Sequence, residues 1–99
     1  MIDLTPLRTL ADPNITGLPC YHGGGEVIVG YLGTLRFIVS VEPDGHCEAS
    51  LARGKRPATD AQVAAFFRKW GVPVPKMEDT RARHCRMFVV HDTRPAFNN

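Results

Sequence analysis

The sequence predicts an α+β fold of order β-β-β-α-β, an antiparallel sheet with one main helix packed on one face. Three observations predict it. Residues 59–70 carry helix start, stop and amphipathic signals together. Residues 26–52 hold three β-rich runs separated by turn residues, and residues 85–91 hold one more after the helix. The 99 residues are read as one domain, 1–99, with 1–25 as an N-terminal turn and loop segment. That length can bury a core without disulfides or metal.

The first residues mix signals. Thr5-Pro6 reads as an N-cap with Pro at N1, opening a turn of helix to Leu10. Ile2-Asp3-Leu4 reads equally as an edge strand. Asp12-Pro13-Asn14 ends either one. Pro, Asn and Gly then make residues 12–25 loop. Glu26–Leu32 is β-rich, and Gly33-Thr34 fits a two-residue turn with Gly first. In the next run Leu35, Phe37, Val39 and Val41 share one face, with Arg36, Ile38 and Ser40 on the other. Glu42-Pro43-Asp44-Gly45 is a turn. The third strand then puts Cys47, Ala49 and Leu51 inward, and Glu48 and Ser50 outward.

Arg53–Pro57 leads into the helix. Thr59 is its N-cap, and Gln62 completes a capping box. Asp60 suits the positive end of the helix dipole, and Arg68 and Lys69 suit the negative end. Gly71 supplies the C′ position and Pro73 prevents continuation. Val63, Phe66, Phe67 and Trp70 fall at i, i+3, i+4 and i+7, one apolar face. Residues 76–83 are polar and predict a loop or helical turn. Residues 85–91 close the fold as its fourth strand. If Val27/Val29, Phe37/Val39 and Met87/Val89 face the helix, then Ile28, Ile38, Phe88 and Val90 face away. That outer apolar surface asks for a cover, either the N-terminal segment or another subunit.

Composition is that of a folded chain, 43% hydrophobic and 22% charged. Net charge is +2, unevenly placed. Residues 1–50 carry two basic against six acidic residues, and residues 51–99 carry ten against four. Arg53, Lys55 and Arg56 form one basic cluster; Arg81, Arg83 and Arg86 form another. Both have the chemistry to position phosphates of a nucleic acid. Tyr31 is the one stacking candidate, because Phe66, Phe67 and Trp70 belong to the core. Three cysteines and no signal-peptide pattern at Met1-Ile2-Asp3-Leu4 predict free thiols and a cytoplasmic location. No apolar run is long enough to cross a bilayer, so no membrane association is expected.

Cys20, His22, Cys85 (or His84) and His91 are the metal-ligand candidates, since cysteine and histidine are what zinc prefers. No C-x₂-C or H-x₃-H spacing supports them. The bland alternative makes Cys47 and Cys85 small core residues and the histidines surface or loop residues. Tyr21-His22-Gly23-Gly24-Gly25 shares His-Gly-Gly-Gly with esterase oxyanion loops, but no G-x-S-x-G elbow accompanies it. Cys–His nucleophile chemistry lacks a positioned third group. No catalytic residue and no cofactor are assigned.

Cys47–Arg53 followed by Arg56–Val63 resembles small bacterial and phage domains of unknown function. In those, a strand leads through Arg-Pro-Thr into an amphipathic helix; here Ala58 separates Pro57 from Thr59. The resemblance implies the strand–helix order and no activity. The leading functional expectation is a small interaction or regulatory protein, an adaptor or inhibitor, with a protein partner or homodimerisation. The alternatives are a nucleic-acid-binding module using the basic residues of the C-terminal half, and a Cys/His metal protein.

Overall fold

The computed structural model describes residues 2–15, 25–80 and 83–93. Its elements in chain order are α1 (Thr5–Arg8), β1 (Glu26–Leu32), β2 (Leu35–Val41) and β3 (Cys47–Arg53). Then follow β4 (Arg56–Pro57), α2 (Asp60–Trp70), β5 (Glu78–Thr80) and β6 (Arg86–His91). The sheet runs β1-β2-β3-β6-β5, antiparallel at every pairing, with β4 turning back on the end of β3. This is the α+β architecture that the sequence predicts, with three short additions.

The first addition is α1, a single turn that settles the choice at residues 2–10 for helix. Leu4, not Thr5, is its N-cap, and the Thr5 N–H is held by Asp3 Oδ1 at 2.9 Å. The second is β4. The third is β5, which stands where polarity predicts a loop. An edge strand tolerates polar residues, and Glu78 is fixed to β6 by the Arg86 guanidinium.

Helix α2 forms as its sequence dictates. The Thr59 hydroxyl accepts the Gln62 N–H at 3.1 Å, and the Gln62 side chain accepts the Thr59 N–H at 3.0 Å. The same side chain donates to Thr34 Oγ1 at 3.2 Å, pinning the helix start to the β1–β2 turn. Gly71 ends the helix at φ +84°, with its N–H on the Phe67 carbonyl. The apolar face buries Val63, Phe66, Phe67 and Trp70 against the sheet. Phe66 meets Phe37 at 5.1 Å between ring centroids, and Phe67 meets Phe88 edge-on at 5.6 Å. Each buried ring contributes about 2 kcal/mol before entropy is subtracted. Trp70 Nε1 donates to the Asp3 carbonyl at 2.9 Å, which ties the N-terminal segment to the far end of the helix.

The register corrects the predicted faces of β1 and β6. Ile28 pairs with Val39, and Phe88 with Ala49, so both face the helix and Val90 packs at the margin of the same core. Val27, Val29, Met87 and Val89 take the outer face with Ile38. Three apolar residues in a row, as in Val27-Ile28-Val29, fit either parity, so alternation alone does not decide. Gly30 decides it. It lies opposite Phe37, and a Cβ there would stand 2.7 Å from Phe37 Cζ and closer still to the Leu10 carbonyl oxygen. Only glycine lets the ring lie over β1 while residues 10–12 close on its edge. Asp12 N donates to the Val29 carbonyl at 2.8 Å, and Tyr31 N to Leu10 at 3.3 Å. Val29 and Val89 are buried despite lying outward, so the exposed outer apolar surface is smaller than predicted.

Gly30→Ala should lower stability by about 3 kcal/mol through overpacking against backbone. The urea midpoint at unchanged slope measures it, and near-native stability would refute the close approach.

Candidate functional site

Strand β3 carries small side chains, Ser50 and Ala52, at two successive outer-face positions. Longer neighbours stand on both sides. Arg36 and Ile38 lie directly across from them on β2, and His84 and Cys85 sit at the head of β6. The result is a trough of ≈ 640 Å³ along the outer face. Gly54 and Lys55, in the β3–β4 turn, close its end. His84 Nδ1 lies 2.7 Å from the Lys55 carbonyl oxygen. A carbonyl only accepts, so Nδ1 carries the proton and Nε2 of the neutral ring is left as an acceptor. That bond joins the two sequence clusters.

Antiparallel pairing brings one end of every strand together. Arg36 begins β2, Arg53 ends β3, Lys55 and Arg56 occupy the following turn, and Arg83 leads into β6. Among the described residues none of these five cations forms an ion pair. Tyr31, directly opposite Arg36 on the same face, is 48% exposed. Carboxylates gather at the other end: Glu26, Glu42, Asp44, Glu48 and Asp92. Folding thus rearranges the linear charge asymmetry. Arg36 leaves the acidic half for the basic pole, and Asp92 makes the reverse move.

Arg86 does not belong with the binding candidates. Its guanidinium grips Glu78 through two bonds of 3.2 and 3.0 Å and reaches Asp60 Oδ1 at 2.7 Å. It also lies 5.4 Å from the Phe88 ring centroid. Hydrogen bonds to Glu78 first, then to Asp60, hold its pKa above the usual arginine value. It clamps β5, β6 and the start of α2 together. Arg81 lies outside the described residues.

Cys20 and His22 lie outside the described residues too, as does most of the Gly-rich stretch. Cys85 and His91 flank and end β6, whose length separates them by about 20 Å at ~3.3 Å per residue. They cannot share an ion. Among the described residues no group of three or more potential ligands converges. Cys47 is a core residue, as its alternation predicts. Burial, and then the Glu48 charge, push its thiol up to about 12. The neutral thiol's contribution to stability is fully present below the unfolded-state pKa and is lost as pH rises from there through the folded value of about 12. Cys85 is half-buried and lines the trough.

His46 departs from the surface reading of the histidines. It is 2% exposed. Nε2 meets Glu48 Oε2 at 2.6 Å, and Nδ1 lies 3.4 Å from Asp92 Oδ1, outside hydrogen-bond geometry. Its backbone N–H donates to Asp44 Oδ1, and Thr93 Oγ1 donates to Asp44 Oδ2. Those two bonds hold the Asp44 carboxyl below its ordinary range. His46 therefore fastens the acidic pole, a role invisible in its sequence neighbourhood.

No protein-family model, curated protein or solved structure matches the chain. No helix among the described residues is long and apolar enough to cross a membrane.

Arg86→Met, which keeps an apolar stem, should cost about 2 kcal/mol because Glu78 and Asp60 lose a charged donor. Thermal melts measure the loss. Unchanged stability would mean that Arg86 is not the clamp.

Proposed function

We propose that the chain is a small nucleic-acid-binding module that takes phosphates on the basic pole of the sheet. One observation carries the reading. Arg36, Arg53, Lys55, Arg56 and Arg83 come from three separate segments, gather at one end of the sheet, and have no carboxylate partner among the described residues. Unpaired cations at this density repel one another, and a polyanion relieves the repulsion by releasing its counterions. Segregated acid at the far end orients the approach.

Fluorescence anisotropy with a labelled oligonucleotide tests it. Affinity should fall steeply between 50 and 200 mM salt, with a log–log slope of about −3 for four neutralised phosphates. Lys55→Gln should weaken binding and reduce the slope by about 1. Lys69→Gln, in the last turn of α2 at the other end of the molecule, should change neither. No binding to any nucleic acid at low salt would end the proposal.

A second reading, the adaptor or inhibitor type with self-association, is supported by a different place. Val74 is 47% and Met77 58% exposed, and both lie on the strap that leads into β5. Apolar side chains beside an edge strand suit strand addition by a second chain. Light scattering across a concentration series should then give a dimer mass that Met77→Asp returns to monomer. A monomer throughout would remove the self-association.

A further inference from the structure

The proposed phosphate site leaves the trough beside it unused. We infer that this trough receives one unstacked nucleobase, so that the ligand is a single strand and not a duplex; the inference rests on the nucleic-acid reading above.

The trough is amphipathic in the manner a base requires. Ile38 and Ala52 give it apolar surface. Ser50 offers a hydroxyl with no hydrogen-bond partner among the described residues, and that hydroxyl can donate or accept. His84 contributes an acceptor nitrogen whose tautomer is set by the Lys55 carbonyl. Arg36 and Lys55 line the same cleft, so the phosphate on the sugar of the seated base lies within the reach of two cations. The opening suits a planar group because Ser50 and Ala52 are short while Arg36, Ile38 and His84 stand higher around them.

Tyr31 extends the platform. It faces outward directly across from Arg36, next along the same surface. A base stacked on an exposed tyrosine, with its neighbour in the trough, is how sheet surfaces hold single strands. Duplex bases are stacked on one another and cannot enter a cleft on a sheet face. A rigid duplex could therefore meet the rim cations only.

The experiment compares a labelled 12-mer single strand with the duplex of the same sequence at equal salt, together with a nucleoside monophosphate as competitor. The single strand should bind at least about tenfold tighter than the duplex, the worth of one or two stacked bases. Ala52→Leu crowds the trough without adding a ring on which a base can stack, and should reduce single-strand affinity towards the duplex level while leaving the salt slope unchanged. Tyr31→Ala, at an exposed position that the fold does not need, should cost single-strand affinity about tenfold and duplex affinity nothing. Circular dichroism of both variants checks that they are folded. Equal binding of both polymers, with neither substitution discriminating between them, overturns this inference and leaves the phosphate reading standing. Binding of the monophosphate without the 12-mer assigns the trough to a free nucleotide and also overturns it. Binding of neither polymer removes both proposals.

Discussion

Strand β3 sits in the middle of the sheet, and its small side chains set what both faces can do. Ala49 and Cys47 point towards α2 and leave depth for three aromatic rings of the helix. Phe66 reaches Phe37 and Phe67 reaches Phe88 across that depth. Larger residues at these positions would lift the helix and open voids between rings that now touch. On the other face Ser50 and Ala52 leave a hollow that nothing on β3 fills. One strand thus gives the core its closeness and the outer surface its concavity.

The clamps around that strand are polar and sit at corners. Arg86 joins β5, β6 and the start of α2. Gln62 joins the helix cap to the β1–β2 turn, and His46 and Asp44 join the β2–β3 turn to the end of β6. Each lies where elements from distant parts of the chain meet, so each fixes how those elements sit against one another. The same corners sort charge. Arginines that find carboxylates become structural, as Arg86 and Arg8 do. Arg36, Arg53, Arg56 and Arg83, which find none among the described residues, stay exposed at the basic pole.

Much of the fold was legible because local chemistry and periodicity agreed. Thr59, Gln62, Gly71 and the spacing of Val63, Phe66, Phe67 and Trp70 define α2 without any tertiary information. Gly33-Thr34 and the alternation from Leu35 to Val41 define a hairpin strand equally well. The faces of β1 were illegible, because Val27, Ile28 and Val29 are apolar at both parities and the deciding contact involves Gly30, Phe37 and Leu10. β5 was hidden for a related reason: a polar edge strand depends on a partner eight residues away in sequence, not on its own propensity. In the site, the outward parity of Arg36, Ile38 and Ser50 was readable. That His84 and Lys55 would meet beside them was not, since strand order is a non-local property. Glu48 is a local partner of His46, but Asp92 comes to its other ring nitrogen only once β6 has paired with β3.

The bond from Trp70 Nε1 to the Asp3 carbonyl has a kinetic meaning. Residues 26–70 can assemble by contacts between neighbours in sequence, hairpin by hairpin and then helix on sheet. The N-terminal strap must instead close a loop of 67 residues to reach Trp70, at a chain-entropy cost that those local contacts avoid. When it lifts, Leu10 and Asp12 leave the margin of β1, and a strand edge otherwise covered becomes free to pair with another chain. Leu10 and Asp12 occupy the Tyr31 N–H and the Val29 carbonyl, which would otherwise be open on that edge.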